Sequence, residues 1–267
     1  MKNQPLVLIK PNLNEGLCVN DTICLWHQEE MQKKLIGKKY LRIKEEPELP
    51  DQIQTAVIDL ESYKNFEDYI AEAKKIHKGN SFRKSHKSKR EGFYSKPFNP
   101  RLFIPDIVEI NHSKEVRCGR KMSEPYRRTV QDFGGPPQKR LNFQWPECPL
   151  HFDLWWGIFM KKNGHCQGVV ETGEKLFAYI RLRRNGNYAL YGQILGHGEY
   201  LNKGIMYALH FNILEWLLKK ESGYAKGLSY LCYAGYNQGG EGLIRWKKRT
   251  LFRPTYLVIS EKDMMQK

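Results

Sequence analysis

The stretch Leu195-Gly196-His197-Gly198-Glu199-Tyr200-Leu201-Asn202-Lys203-Gly204 places three glycines, an imidazole and a lysine ahead of a segment with helical apolar period. Backbone N–H groups at a helix start face outward, and the helix dipole favours an anion there. Glycine lets a ligand approach the backbone closely. Gly196, Gly198, Asn202, Lys203 and Gly204 are therefore candidate phosphate-binding residues. The bland alternative is a plain strand-to-helix turn. Moving a proton needs a titratable side chain within reach of the reacting atom. The candidates are Glu109, Asp153, His197, Tyr191 and Tyr236, with Asp106 and Glu199 behind them. His197, between two glycines, is the least core-like imidazole, and either tyrosine could protonate a leaving thiolate or hydroxyl. Any one of these side chains can equally serve an ordinary structural role.

Cations gather in three places. Lys74 to Lys96 holds nine Lys and Arg, among them Arg83, Lys84 and Lys87, together with His77 and His86. A second cluster has Arg117, Arg120, Lys121, Arg127 and Arg128, and a third has Arg245, Lys247, Lys248, Arg249 and Arg253. Across the 267 residues, 44 Lys and Arg face 29 acids, a net charge of +15. Such an excess speaks to anionic partners rather than to fold. Cations along a cleft bind phosphates in a salt-dependent way, so a polyanionic partner, DNA or RNA above all, is expected. A merely solvated charge run is the competing reading for any one cluster.

The hydrophobic share of 40% and aromatic share of 12% fit a globular chain with a real core. The cysteines, Cys18, Cys24, Cys118, Cys148, Cys166 and Cys232, form no CxxC pair, and no His/Cys pair follows Cys18 and Cys24 at zinc spacing. They read as free thiols in a reducing compartment, and no metal is expected. Cys118, beside Arg117, is the one thiol whose setting would favour a thiolate nucleophile. The first residues lack the layout of a signal peptide, and no apolar run reaches the roughly 18 residues that span a bilayer. The expectation is a cytoplasmic protein with no membrane partner.

The elements that must position these residues follow from periodicity. Leu6–Ile9, a stretch within 39–43, and Thr55–Leu60 read as strands, and Glu45–Pro50 as a connection. Glu61 opens a helix with Tyr63, Phe66, Tyr69, Ile70 and Ala73 on one face. A second helix spans 106–112. Further strands are expected at 154–160, 175–183, 188–195, 228–233 and 255–259, with turns at 161–164 and 184–187. A helix covers 203–220 and a short one follows Gly239-Gly240-Glu241-Gly242. No internal repeat occurs.

This order resembles the second half of a GNAT acyltransferase. It is closer still to the FemAB-like branch, the peptidoglycan-bridge aminoacyltransferases and their relatives. The motifs that carry the resemblance are Val57-Ile58-Asp59-Leu60 before a helix, then Ser81-Phe82-Arg83-Lys84-Ser85-His86-Lys87. They continue through Asp106-Ile107, Ser113, Arg117, Gly119 and Tyr126, and end with Gly239-Gly240, Lys247-Lys248 and Phe252. The resemblance covers about residues 55–260. It implies an α/β fold, a mixed and mostly antiparallel sheet flanked by helices, with a partial N-terminal GNAT-like half in 1–96 and the acyltransferase domain in 97–267. The first 55 residues are too few for a full amino-terminal GNAT-like domain, and no coiled-coil arm is visible.

The resemblance also implies an acyl- or aminoacyl-transferase, with acyl-CoA or aminoacyl-tRNA as donor and an amine or hydroxyl as acceptor. Arg83, Lys84, Lys87, Arg117, Arg120, Tyr126, Lys247 and Lys248 would hold a polyanionic acceptor, such as a nucleic-acid base, modified or not. The usual acetyl-CoA signature is degraded: Gly204 falls into place, but Leu201 stands for its first polar residue and Met206 for its small one. FemAB-like enzymes, whose donor is aminoacyl-tRNA, lose it too. A GNAT-shaped nucleic-acid binder without catalysis is the alternative.

Overall fold

β-Branched and aromatic runs punctuated by Gly and Asn set most of the strands. The computed structural model describes residues 8–9, 21–39, 41–43, 53–117 and 119–259. Leu6, Val7, the Glu45–Pro50 connection, Cys18 and Cys118 lie outside the described residues. In chain order come β1 (Leu8–Ile9), α1 (Asp21–Gly37), β2 (Leu41–Ile43) and β3 (Thr55–Asp59). α1 is an addition to the sequence reading. It buries Cys24, Met31 and Leu35 but exposes Ile23, Leu25 and Trp26, so no single apolar stripe marks it.

After β3, Asp59 accepts from Glu61 N at 3.0 Å and holds a separate 3-10 turn. α2 (Phe66–Lys75) therefore starts later than Glu61, capped by Asn65, whose Oδ1 accepts from Asp68 N at 2.9 Å. The centre of the most basic stretch folds as α3 (Asn80–Arg90). Its buried positions are Ser81, Ser85 and Ser88, spaced for one helical face but made of small polar residues, so apolar period could not reveal it. β4 (Tyr94–Pro97) and α4 (Ile104–His112) follow, then the hairpin of β5 (Val116–Arg117) and β6 (Arg120–Lys121).

β7 (His151–Lys161) is longer than its apolar centre suggests. The turn expected after it widens into a small hairpin, β8 (Cys166–Gln167) and β9 (Val170–Glu171). β10 (Glu174–Asn185) and β11 (Tyr188–Gly196) then join through Gly186-Asn187. α5 (Ile205–Lys219), β12 (Tyr230–Gly235), α6 (Glu241–Arg249) and β13 (Arg253–Ile259) complete the chain. None of these helices is long and apolar enough to cross a membrane.

One nine-stranded sheet runs β1-β13-β3-β12-β11-β10-β7-β4, with β2 also on β13. It is antiparallel except where β11 meets β12 and where β1 and β2 meet β13. The architecture is the expected mixed, mostly antiparallel α/β fold. The expected division at 96/97 falls inside β4, which pairs with β7. β3, from the first part, lies between β12 and β13 from the second. The two parts thus share one sheet.

Side chains alternate between the faces. Ala56, Ile58, Leu154, Trp156, Ile180, Leu182, Ala189 and Leu231 point to the face covered by α2 and α5. Val57, Tyr188, Leu190 and Cys232 face α1, while Phe159 and Tyr179 face α4. α3 lies outside α5, held close by its serine face.

Candidate active site

Two strands that begin as parallel partners come apart. β11 and β12 pair from Tyr188↔Tyr230 to Leu190↔Cys232, where the ladder stops among the described residues. Each strand carries an extra residue just beyond. On β11 the register passes from Tyr191↔Leu182 to Gln193↔Arg181, which leaves Gly192 as a bulge. On β12 it passes from Tyr233↔Ala56 to Gly235↔Thr55, which leaves Ala234, at φ 45°, as a second. A bulge bends its strand and sharpens its twist. Two bulges on facing strands turn them away from each other.

The opening is a cavity of about 480 Å³, within the usual range for a small-molecule site. Ile194, Leu195, Leu201, Met206, Leu243 and Trp246 make its apolar walls, and Lys114, Arg117, Tyr126 and Tyr233 its polar ones. Lys114, Met122 and Tyr126 also line an adjoining hollow with Lys121 and Arg127. Asn111 connects that hollow to a groove bounded by Arg101, Arg128, Trp155, Arg181 and Gln193. The cleft therefore leads into a groove whose lining includes Arg101, Arg128 and Arg181.

Of the expected acceptor residues, Arg117 and Tyr126 stand in the cleft. The Arg117 Nη2 donates to Ile110 O at 3.2 Å and Ser113 Oγ at 3.0 Å, which fixes the guanidinium. Burial pushes the Tyr126 phenol up, partly offset by the Arg117 charge, so the hydroxyl keeps its proton at neutral pH. The backbone of Arg120 is described, its side chain is not.

The remaining acceptor candidates lie elsewhere. Arg83 and Lys87 project from the solvent side of α3, Lys84 is half-buried, and none of them lines the cleft or groove. The serine face of α3 turns its cations outward, so the first two basic clusters do not share one cleft. Lys247 is fully buried and donates to Gly235 O at 2.5 Å and Gln238 O at 2.8 Å. It ties the loop before α6 together and has no path to an acceptor. Lys248 is exposed.

The glycine loop is also corrected. A Cβ on Gly204, at φ +80°, would lie 2.3 Å from Lys84 O, and one on Gly196 2.6 Å from Met206 Sδ. A Cβ on Gly198 would lie 2.8 Å from Ser113 O, and the Gly198 N–H already donates to Ser113 Oγ at 2.8 Å. These glycines permit close packing of α3, α4 and α5. Gly196 alone also lines the cleft. Asn202 is exposed, and Lys203 pairs with Glu91 at 3.2 Å.

Among the acid–base candidates, Glu109 and His197 meet. His197 Nε2 lies 3.2 Å from Glu109 Oε1, which Lys175 Nζ also reaches at 2.6 Å. Partial burial works to raise the Glu109 carboxyl, but the hydrogen bond and charge of Lys175, joined by His197, hold it below its ordinary value. His197 Nδ1 accepts a long bond from Glu199 N at 3.4 Å. Both ring nitrogens face protein, and the pair clamps the loop to α4 beside the cleft.

Asp153 is spanned by two guanidiniums, Arg181 at 2.6 Å and Arg183 at 2.7 Å, which occupy the lone pairs a base would use. Asp106 is buried and accepts from Leu176 N at 2.8 Å, with His165 Nε2 at 3.0 Å. Tyr236 is half-buried against the main core, away from the cleft lining, and burial raises its phenol.

Tyr191 is a core residue. It is 2% exposed and its hydroxyl lies 3.0 Å from His210 Nδ1. His210 Nε2 lies 3.0 Å from the Tyr69 hydroxyl, which donates to Thr250 O at 2.7 Å. Burial lowers His210 to about 3, so the ring is neutral. Tyr69 spends its proton on Thr250, so His210 must carry its proton on Nε2, and Nδ1 must accept from Tyr191. The chain is closed and satisfied, which leaves Tyr191 no proton for substrate. Among the described residues lining the cleft there is neither carboxylate nor imidazole.

No protein-family model matches the chain, and no curated protein matches it. Among solved structures it is similar to a crystal structure of FemX, with TM-score 0.47 and 9% identity over 86% of this chain and 66% of that one. It is also similar to L-PGS from Bacillus licheniformis, with TM-score 0.37 and 15% identity over 67% of this chain and 44% of that one. The C-terminal DUF2156 domain of a putative lysylphosphatidylglycerol synthetase from Agrobacterium fabrum gives TM-score 0.40 and 14% identity over 76% and 58%. The chain thus spans less than two thirds of each of these chains.

Proposed function

We propose that the protein is an acyltransferase, most specifically an aminoacyl-transferase, that binds the donor's acyl end between β11 and β12 and its acceptor in the adjoining basic groove. The parting of β11 from β12 at two facing bulges carries this reading. It leaves backbone edges beyond Leu190 and Cys232 on which an extended, amide-bearing donor can pair as an added strand, with apolar walls beside it.

Acyl transfer needs a hydrogen-bond donor for the tetrahedral oxyanion or the departing oxygen. Tyr126, kept protonated by burial, supplies one, and Arg117 beside it supplies positive charge. Among the described residues neither carboxylate nor imidazole lines the cleft, so the acceptor's proton passes to His112 or Glu115 of the adjoining hollow, to the leaving group or to solvent. Ser113 occupies the Gly198 amide that a CoA pyrophosphate would want, which favours aminoacyl-tRNA over acyl-CoA as donor. The cations of the groove favour an acceptor bearing phosphates, with DNA and RNA among the candidates. A nucleic-acid binder without catalysis is the second reading, resting on the cations of the groove and on a described cleft lining that has neither carboxylate nor imidazole.

The test is calorimetric titration with acetyl-CoA, plain CoA, a non-hydrolysable aminoacyl-tRNA analogue, uncharged tRNA and short duplex DNA at two salt concentrations, on wild type and Met206→Trp. The Trp side chain fills the cleft. Tighter binding of the aminoacyl analogue than of uncharged tRNA, lost in Met206→Trp, is the expected result. Equal binding of charged and uncharged tRNA in both proteins would overturn the donor site and leave the binding module.

A further inference from the structure

Two cysteines and a histidine meet in the core, one cysteine distant in sequence from the other two residues. Cys24 lies on α1, and Cys148 and His151 flank the entry to β7 in a Cys-x-x-His spacing. All three are buried, at 0%, 3% and 2% exposure. Their ligand atoms lie within 4.8 Å of one another, and neither cysteine is in a disulfide. We propose that Cys24 Sγ, Cys148 Sγ and His151 Nδ1 form a binding site for a thiophilic divalent ion of the zinc class, which fastens α1 to the sheet.

The Cys148–His151 separation fits the ion. Bonds of about 2.3 Å to sulfur and 2.0–2.1 Å to nitrogen in a tetrahedron put neighbouring ligand atoms about 3.5–3.8 Å apart. Cys148 Sγ and His151 Nδ1 are 3.6 Å apart. Two thiolates and a neutral imidazole around a divalent cation sum to zero charge, the only sum that a site this deep tolerates cheaply. Soft sulfur donors select zinc-like ions over magnesium or calcium. The far nitrogen, His151 Nε2, sits 2.9 Å from the amide nitrogen of Gln28. With the metal on Nδ1, Nε2 carries hydrogen and the amide turns its oxygen to accept it, the outer-shell bond such ligands commonly make. Cys148 and His151 also border a cavity of about 260 Å³ with Glu147 and Asp153, which has room for a water as fourth ligand.

The role follows from the place. His151 pairs with Asn185 and the cleft-lining Ile194 with Ile180 on the same strand β10. Five residues at about 3.3 Å each separate the site from the near end of the cleft by about 17 Å, too far for a part in transfer. The same end of the sheet holds α1 by Asn185 Nδ2, which donates to His27 O at 2.9 Å. A metal there adds a cross-link of long sequence span.

The experiment titrates reduced, chelator-stripped full-length protein with Co²⁺, followed by Zn²⁺ competition. One Co²⁺ per chain with thiolate-to-cobalt charge-transfer absorption is expected, together with a higher melting temperature in Zn²⁺ than in chelator. Cys24→Ser and Cys148→Ser should each lose the absorption and the zinc-dependent shift, while Cys166→Ser, at an exposed thiol, should keep both. Gln28→Ala should weaken affinity about 10–100-fold. Absence of the absorption in folded wild type, or its persistence in both Cys24→Ser and Cys148→Ser, would overturn the site. So would a Cys24–Cys148 disulfide by intact mass in protein that, once reduced, binds no cobalt.

Discussion

Acidification should reach the core through His210 before it reaches the cleft. The ring is neutral in the folded state, held to about 3 by burial, and titrates near 6.5 once unfolded. Between those values the unfolded chain binds a proton that the native chain does not. Stability contributed by the neutral ring is therefore complete above pH 6.5 and falls as pH drops toward 3. One extra proton gives a slope of about 1.4 kcal/mol per pH unit, or roughly 2–3 kcal/mol between pH 6.5 and 4.5. Urea midpoints against pH, on wild type and on His210→Gln, isolate the effect from the carboxylates that both proteins share. A glutamine can still donate to Tyr69 and accept from Tyr191, so the variant should fold and should lose about one proton of slope. Parallel curves for the two proteins, or a His210 ring that titrates near pH 6.5 by NMR, would refute the closed chain from Tyr191 to Thr250. The companion change, Tyr191→Phe, strands His210 Nδ1 as a buried acceptor and should cost about 1–3 kcal/mol. A 10²–10⁴-fold loss of turnover at unchanged stability would instead mark Tyr191 as a proton donor in catalysis.

Three further outcomes follow from the same packing. Gly204→Ala forces a side chain into the left-handed region and against Lys84 O, and should destabilise by about 2–5 kcal/mol in a denaturant melt. Lys247→Met strands the carbonyls of Gly235 and Gln238 and should cost about 2–5 kcal/mol, while Lys248→Met at the exposed neighbour stays within about 0.5 kcal/mol; equal effects would return Lys247 to the surface. Arg127→Glu with Arg128→Glu should lower the salt dependence of polyanion binding by about two phosphate contacts, read as the slope of log K against log salt, whereas Arg83→Glu with Lys87→Glu should leave it nearly unchanged.

The sheet was legible because its strands are apolar and its turns are chemically explicit. Gly186-Asn187 between β10 and β11 and the helical period of α5 both appear where periodicity puts them. α1 and α3 were illegible for opposite reasons. α1 spreads apolar residues around its circumference, with Trp26 exposed at 51% and Cys24 at 0%. α3 buries serines, so its face looks like linker composition beneath a run of charge. Small size, and not hydrophobicity, makes Ser81, Ser85 and Ser88 suited to the close approach of α5.

Most of the chemically conspicuous residues lie outside the cleft, and the reason lies in what makes it. Histidine between glycines, paired lysines and a conspicuous tyrosine are strong chemical signals, yet His197 clamps a loop, Lys247 holds carbonyls, and Tyr191 completes a core hydrogen-bond chain. The cleft itself is made by backbone. Its sequence trace is Gly192 inside an otherwise unbroken strand, the position where an extra residue turns β11 away from β12. Ala234, at positive φ, leaves no comparable trace. Once the strands part, the groove side follows from cations that the sequence did display, since Arg117, Arg127 and Arg128 come from one cluster while Arg101 and Arg181 come from elsewhere. Tyr126 stands where the apolar cleft meets that groove. A donor carbonyl reaching out of the cleft and an acceptor held by its phosphates would meet beside its hydroxyl, which is why Tyr126→Phe should lower turnover by more than it lowers the affinity of either substrate.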